Sequence, residues 1–289
     1  MVGLPCSLHL SGRKIKNKIF NSQSLWPYNS VTIYNYRVWN MKIHDVKQNA
    51  IIKLRKFLNQ LGIRNKKVFA VGFNKSGTTS LHALFTTMKR PSYHGIQWRD
   101  CDNHKLLKTY DCFSDGIPKD IVKLDRLFPD SKYILQVRDL DTWVYSRLAH
   151  IERGKKNLKY ETKLEWDNTE YAIKAWIKKR NDHHLFVLSY FFERPSDLLI
   201  INFIRDNSAA EKISKFLNYN GKIDKPKKNV NPNKEPLLKH TEMLLNCIAE
   251  LNIPEHELKY DIYCPSINKT KTHFNFPFDS SSFNKNKNP

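Results

Sequence analysis

Eight residues between an apolar run and a helical pattern have the composition of a loop that binds phosphate. The segment Gly72-Phe-Asn-Lys-Ser-Gly-Thr-Thr follows the apolar run 67–71. A glycine-flanked turn at this place gathers backbone N–H groups and the positive end of a helix around one point, which suits an anion. Lys75 stands two positions before Gly77, whereas the loop of nucleoside triphosphatases has its lysine directly after that glycine. We therefore expect Lys75 to reach the 5′ end of a donor shorter than a nucleoside triphosphate, the alternative being a purely structural turn.

A second group of residues, further along the chain, has the chemistry of a phosphate site. Arg138 ends the apolar stretch 132–137, and Ser146 follows eight residues later. Arginine offers a fork of donors to a phosphate, and a serine about two turns into the next helix faces back toward the same oxygens. The alternative is that Arg138 pairs with Asp139 or Asp141 at a helix cap.

Taken together, the two motifs resemble those of sulfotransferases that use 3′-phosphoadenosine 5′-phosphosulfate (PAPS). Lys75-Ser-Gly-Thr-Thr79 resembles their 5′-phosphosulfate loop, and Arg138 with Ser146 resembles their 3′-phosphate site. The resemblance covers roughly 66–218 and is absent from both ends. It implies PAPS as donor, 3′-phosphoadenosine 5′-phosphate (PAP) as product, a hydroxyl-bearing acceptor and no metal. The donor-binding residues that it implies are Asn74, Lys75, Ser76, Gly77, Thr78, Thr79, Ser80, Arg138, Ser146 and Lys228.

Sulfuryl transfer needs a cation at the leaving phosphate and a base at the acceptor hydroxyl. The resemblance assigns Lys75 to the bridging oxygen. Asp115 occupies the place where the cytosolic branch of the family has a histidine, and acidic bases are usual in branches that sulfate carbohydrates. We expect Asp115 to be the base, with His94 as second choice. The alternatives are an Asx turn and helix cap for Asp115 and a surface position for His94.

Other candidates are assigned to packing or to the surface. His82 is expected to be a packed helix residue, and His183 and His184 are expected to be solvated on a helix. Trp143 flanks the second motif, where aromatic core packing is the commoner role. The basic segment 225–232 either closes over the 3′-phosphate or is a solvated run of charge.

The elements that must position these residues alternate as in an α/β protein. Strands are predicted at 67–71, 132–137 and 198–203. Helices are predicted around Leu81 to Met88, around Ile121 to Phe128 with Pro118 in the first turn, from Trp166 to Ile177, after a capping box at Ser208 and Glu211, and over 241–251. A helical stripe including Leu54 and Leu61 closes at Gly62. We expect one domain with a central, mostly parallel sheet flanked by helices, similar to the P-loop sulfotransferase architecture.

Composition sets the boundaries of that domain. Residues 1–40 are expected to be poorly ordered or peripheral, 41–262 to form the sulfotransferase domain, and 263–289 to form a polar, flexible tail. Five scattered cysteines without C-x-x-C spacing indicate neither a disulfide framework nor a zinc knuckle. Without a signal peptide or membrane span, a cytoplasmic location is expected.

A net charge of +21 attracts polyanions without saying which. Rival interpretations are a P-loop kinase or NTPase, and a basic nucleic-acid-binding protein with a degenerate phosphate loop. No specific nucleic-acid partner is expected under the sulfotransferase interpretation. A carbohydrate acceptor is slightly favoured, small alcohols, lipids and tyrosine remain open, and no feature points to an oligomeric state.

Overall fold

A computed structural model describes residues 46–64, 66–156, 169–226, 237–259 and 261–262. Nearly all of them belong to one compact unit, Gln48–Pro289. The predicted peripheral segments 1–40 and 263–289 lie outside the described residues, as do Trp166 and Lys228. The proposed domain boundaries therefore stay predictions.

Five parallel strands form the central sheet of the described residues. They are β1 (Val68–Ala70), β2 (Ser92–His94), β3 (Cys112–Ser114), β4 (Lys132–Gln136) and β5 (Leu198–Ile201), in the spatial order β2-β3-β1-β4-β5. Every neighbouring pair is parallel. β1, β3 and β5 are fully buried, as expected for strands covered by helices on both faces.

Helices connect the strands and cover the sheet. They are α1 (46–60 of the described residues), α2 (Thr78–Thr87), α3 (His104–Thr109), α4 (Ile121–Leu127), α5 (Leu140–Lys156), α6 (Glu170–Tyr190), α7 (Ala209–Phe216) and α8 (Leu238–Glu250). This architecture confirms the predicted α/β fold with a parallel sheet. The strands predicted at 67–71, 132–137 and 198–203 correspond to β1, β4 and β5.

The structure corrects one predicted helix start and one predicted capping contact. Pro118 does not lie in the first turn of α4, because Asp120 caps that helix by accepting from the Lys123 N–H at 2.8 Å. Ser208 is the N-cap residue of α7, so the predicted start of this helix is confirmed, but its side chain makes no capping bond. Its hydroxyl instead donates to Asp206 Oδ1 at 2.7 Å, so the predicted capping-box contact is not formed.

The sheet separates two apolar layers, because alternate strand residues point to opposite faces. Phe69 and Tyr133 pack with the layer that includes α4 and the second half of α6. Ala70 and Ile134 pack with α2 and α7. A third apolar cluster joins α5, the first half of α6 and α8, and holds α5 beside the carboxyl edge of the sheet.

The first helix reverses the usual arrangement of polar and apolar residues. Leu54 and Leu61, from the predicted stripe, are 58% and 57% exposed. Asn59 on the opposite face is buried and donates to Asp111 Oδ1 at 2.5 Å. Polar contacts therefore attach α1 to the domain.

Candidate functional site

The loop between β1 and α2, residues 72–77, starts at the carboxyl edge of the sheet. The Gly72 N–H donates to Gln136 Oε1 at 2.9 Å, and a Cβ at Gly72 would lie 2.1 Å from the Gln136 carbonyl oxygen. Glycine is therefore required for the ends of β1 and β4 to lie side by side. Lys75 (φ 69°) and Gly77 (φ 95°) are left-handed and turn the chain into α2 at Thr78. The first-turn N–H groups of α2 face this loop, as helix geometry requires.

Other hydroxyl and amide groups of the segment have defined roles. The Ser76 hydroxyl donates to the Phe73 carbonyl at 2.5 Å, within the loop itself. Thr78 and Ser80 are buried in the first turn of α2. Asn74 faces α5: its carbonyl accepts from Trp143 Nε1 at 3.0 Å, and its side-chain oxygen accepts from the Arg147 guanidinium at 2.9 Å. Asn74 therefore anchors the loop to a helix.

A histidine from α6 holds the chain where it enters the loop. His183 Nε2 lies 2.6 Å from the Val71 carbonyl oxygen, so this nitrogen carries the proton and donates. His183 and His184 both pack edge-on against Phe73. Burial lowers the pKa of His183 to about 4 and the pKa of His184 well below its usual value. The prediction that both histidines are solvated was wrong, because α6 packs this face against the loop.

Arg138 and Lys75, predicted from separate motifs, are in direct contact. The Arg138 guanidinium donates to the Lys75 carbonyl at 2.8 Å and to Thr142 Oγ1 at 3.1 Å. Asp139 pairs with Arg205 at 2.5 Å, and Asp141 pairs with Lys259. The alternative in which Arg138 pairs with one of these aspartates is therefore wrong.

The surroundings of Arg138 include a buried arginine that the sequence patterns did not reveal. Arg180 on α6 donates to the Arg138 carbonyl at 2.9 Å and to the Asp261 carbonyl at 2.5 Å. Ser146 lies on α5 one turn beyond Thr142 and is half-buried. Within the described residues no hydrogen bond joins it to Arg138, so its predicted role stays a prediction.

His94 ends β2 and contacts both the next strand and α2. Its Nδ1 lies 3.0 Å from Ser114 Oγ, and its Nε2 lies 3.3 Å from Thr79 Oγ1. His82 stacks on it, with ring centroids 5.4 Å apart, and bonds Ser92 at 2.8 Å. His82 is therefore the packed helix residue that was predicted, and the alternative of a surface position for His94 is wrong.

Asp115 directly follows β3, at the same edge of the sheet, in a left-handed conformation (φ 95°). It does not cap α4, because Asp120 does. Burial lowers the pKa of His94, and the carboxylate of Asp115 acts in the opposite direction. Asp115 is thus close enough to His94 for its charge to affect the pKa of that histidine.

Lys75 interacts electrostatically with this carboxylate and with three arginines. Burial, and then the charges of Arg153, Arg147 and Arg138, lower the pKa of Lys75 to about 8. Asp115 acts in the opposite direction. The site thus joins an ammonium group, a carboxylate and a guanidinium at the ends of three adjacent strands, which is a suitable arrangement for moving an anionic group and a proton.

Comparison with known protein families agrees with this geometry. Residues 97–195 match the family model described as a sulfotransferase domain. This part of the chain is similar to sulfotransferase domains. The match spans about a third of the chain, includes Asp115, Arg138 and Ser146, and begins after the β1–α2 loop. No curated protein matches the chain.

No group of three or more metal-ligating side chains lies among the described residues. The described cysteines, Cys101, Cys112 and Cys247, are free thiols. Among the described helices, none combines the length and apolar character needed to cross a bilayer.

Proposed function

We propose that this chain transfers a sulfuryl group from PAPS to an acceptor hydroxyl. The observation that carries the proposal is the 2.8 Å bond between the Arg138 guanidinium and the Lys75 carbonyl. Two motifs that resemble the two phosphate sites of PAPS-dependent sulfotransferases, 63 residues apart, meet at one edge of the sheet. The family match to a sulfotransferase domain supports the same reaction class.

The β1–α2 loop is assigned to the 5′-phosphosulfate of the donor. Its support is the left-handed Lys75 and the start of α2 at Thr78, which direct N–H groups and a positive helix end into one space. Arg138 and Ser146 are assigned to the 3′-phosphate. Lys228, in the same assignment, lies outside the described residues.

In the proposed transfer, one lysine neutralises the charge of the leaving group and one base takes the proton of the acceptor hydroxyl. The acceptor oxygen attacks sulfur, the bond between sulfur and the bridging oxygen breaks, and its electron pair leaves on the 5′-phosphate of PAP. Lys75 neutralises the charge that grows on that oxygen. The hydroxyl proton passes to Asp115.

Asp115 is favoured over His94 as the base because of their contacts. Both ring nitrogens of His94 are engaged, one with Ser114 and one with Thr79. His94 is therefore suited to positioning Thr79, while the charge of the Asp115 carboxylate acts on Lys75. We propose a carbohydrate hydroxyl as the acceptor, since an acidic base is usual in the branches that sulfate sugars.

Thermal stability in the presence of different ligands tests whether PAPS is the donor. PAP should raise the melting temperature, and ATP with magnesium or short oligonucleotides should not, because only a ligand bound to the folded state stabilises it. Lys75→Ala should abolish the PAP effect. Lys66→Ala, which removes an exposed lysine, is the control. Stabilisation by ATP with magnesium alone would favour the kinase alternative, and tight, salt-sensitive oligonucleotide binding that Lys75→Ala leaves intact would favour the nucleic-acid alternative.

Measuring the transfer of a radiolabelled sulfuryl group from PAPS tests which residue is the base. Asp115→Asn should retain PAP affinity and lose roughly a hundredfold or more in turnover, the range for a general base. Asp130→Asn is the matched control, because Asp130 is an exposed aspartate that is also left-handed (φ 60°). Full turnover in Asp115→Asn combined with loss in His94→Gln would move the base to His94.

A further inference from the structure

The described residues Lys259, Asp261 and Ile262 bring the chain back to the end of β4. Lys259 pairs with Asp141 in the first turn of α5. Asp261 is 3% exposed, and Ile262 packs in the apolar layer that includes α4 and the second half of α6. These three residues form the return segment. It is part of the domain at the edge of the sheet where Arg138 lies.

The carboxyl group of Asp261 joins the ends of β4 and β5. Its two oxygens accept from Asn202 Nδ2 at 2.7 Å and from Arg205 Nη2 at 2.5 Å, just beyond β5. The same two residues donate to Asp139 Oδ1, at 3.2 Å and 2.5 Å. Because Asp139 directly follows Arg138, this network fixes the chain immediately after that arginine.

The backbone of Arg138 is held by the return segment through Arg180. The guanidinium of Arg180, which is 2% exposed, donates to the Arg138 carbonyl at 2.9 Å and to the Asp261 carbonyl at 2.5 Å. Burial of charged groups costs desolvation energy that their attraction only partly offsets, so such a network is weak evidence for a role in stability alone. Its structural effect is to hold the backbone of Arg138 and the side chain of Asp139 in one arrangement.

The guanidinium of Arg138 retains a donor for an anion. Its Nη1 bonds the Lys75 carbonyl and its Nε bonds Thr142 Oγ1. Within the described part of the chain Nη2 forms no hydrogen bond, and the residue is half-buried. Since a guanidinium is rigid and planar, the bonds at Nε and Nη1 set the direction of Nη2. A shift of the Arg138 backbone would therefore turn Nη2 away from a bound phosphate.

We propose that Asp261, with Arg180 and Arg205, positions Arg138 for the 3′-phosphate of the donor. The return segment thereby sets how strongly the protein prefers a nucleotide that carries a 3′-phosphate. The three residues are positioning residues, because each acts through Arg138 and none is assigned to the donor itself. The inference rests on the proposed function and adds the residues on which its selectivity for the 3′-phosphate depends.

Two ligands that differ only in the 3′-phosphate, PAP and adenosine 5′-phosphate (AMP), test the proposal. Isothermal titration calorimetry of the full chain gives the Kd of each, and the ratio of the AMP Kd to the PAP Kd measures the contribution of the 3′-phosphate. Asp261→Asn leaves one acceptor oxygen for two donors, so this ratio should fall about tenfold, the effect of losing one charge-assisted hydrogen bond. The Kd of AMP should change less than about twofold, whereas a purely structural loss would weaken both ligands alike.

Further variants separate positioning from general destabilisation. In Arg205→Lys an ammonium replaces the planar fork that holds two carboxyl groups, so the ratio should fall at least about threefold. In an Arg138→Ala background Asp261→Asn should leave the ratio unchanged, because its effect passes through the missing guanidinium. Asp197→Asn is the matched control and should change neither Kd, since Asp197 pairs at 2.9 Å with Lys132 at the start of β4, the opposite edge of the sheet.

Any of several results would overturn the proposal. They are an unchanged ratio in Asp261→Asn, an equal weakening of PAP and AMP in that variant, a fall in the ratio that persists in the Arg138→Ala background, and failure of both Asp261→Asn and Arg205→Lys to fold. The melting temperature of each variant identifies the last result. Failure of the proposed function itself is recognised separately, because the unmodified protein would then bind no PAP.

Discussion

The affinity for PAP should fall as the pH rises through 8, because Lys75 loses its proton in that range. Burial and three neighbouring arginines lower the pKa of Lys75 to about 8, whereas an exposed lysine titrates near 10.4. At pH 7 about nine-tenths of the protein carries the ammonium form, and at pH 9 about one-tenth does. If PAP requires the ammonium, its Kd should rise about tenfold, or about 1.4 kcal/mol, between these pH values.

Isothermal titration calorimetry of PAP at pH 7 to 9 measures this change. The phosphates of PAP are almost fully ionised from pH 7 upward, so they add little to the slope. Lys75→Arg supplies the decisive comparison, since a guanidinium stays charged throughout this range. Its Kd should be nearly constant with pH, even if it is weaker overall.

A tenfold weakening that persists in Lys75→Arg would refute the reasoning, because another group would then be titrating. A flat profile in the unmodified protein would refute it as well. The titration of Lys67, whose pKa is also about 8, is not expected to change the affinity for PAP. Its ammonium group bonds carbonyls of Lys108 and Tyr110 near the start of β1, while the proposed donor site lies past the end of that strand.

Three further changes probe the framework of the site. His183→Phe keeps an aromatic ring on α6 but leaves the Val71 carbonyl without its donor, so urea denaturation should show a loss of about 1–3 kcal/mol and titration should show weaker PAP binding. Gly72→Ala places a Cβ 2.1 Å from the Gln136 carbonyl oxygen, so the melting temperature should fall steeply or folding should fail. Lys67 has a folded-state pKa below its unfolded value, so its contribution to stability should rise between about pH 8 and 10.5, and Lys67→Met should flatten the pH dependence of the free energy of unfolding.

Each of these changes has a control and a contradicting result. His184→Phe alters the neighbouring histidine, whose Nδ1 has no hydrogen-bond partner in the described part of the chain, and should cost less than His183→Phe. Gly62→Ala meets no atom within 4 Å and should cost only about 1–2 kcal/mol for its left-handed backbone. Equal losses within either pair, or an unchanged pH slope in Lys67→Met, would contradict the respective prediction.

Sequence patterns predicted the parts of the fold that depend on short-range periodicity. β1, β4 and β5 were predictable as apolar runs bounded by polar turns. The loop after β1 was predictable from its glycine-flanked, polar composition. β2 was missed, because three half-buried residues with serine and histidine among them have no strand signature. The contact between Lys75 and Arg138 followed from motif logic, since both follow strands of one parallel sheet.

The supporting residues of the site could not be predicted in the same way. His183 contacts a carbonyl 112 residues earlier, and Arg180 contacts one 42 residues earlier. In the sequence of α6, His183 and Arg180 are indistinguishable from exposed polar residues, because no neighbouring residue indicates which face of the helix packs against the loop. Arg147 is adjacent in sequence to Ser146, yet the sequence does not reveal that its guanidinium packs against the rings of Trp143 and Trp176.

Strand order explains why the proposed base, lysine and arginine act on different parts of one reaction. β3, β1 and β4 are consecutive in the sheet, so Asp115, Lys75 and Arg138, which follow them, succeed one another along its carboxyl edge. Adjacent strands lie about 4.8 Å apart, which separates the outer two strands by roughly 10 Å. Under the proposed function the acceptor therefore enters on the β3 side, the 3′-phosphate lies on the β4 side, and the sulfuryl group passes between them at Lys75. A loop of the same composition between other strands would keep its anion site but lose this direction of transfer.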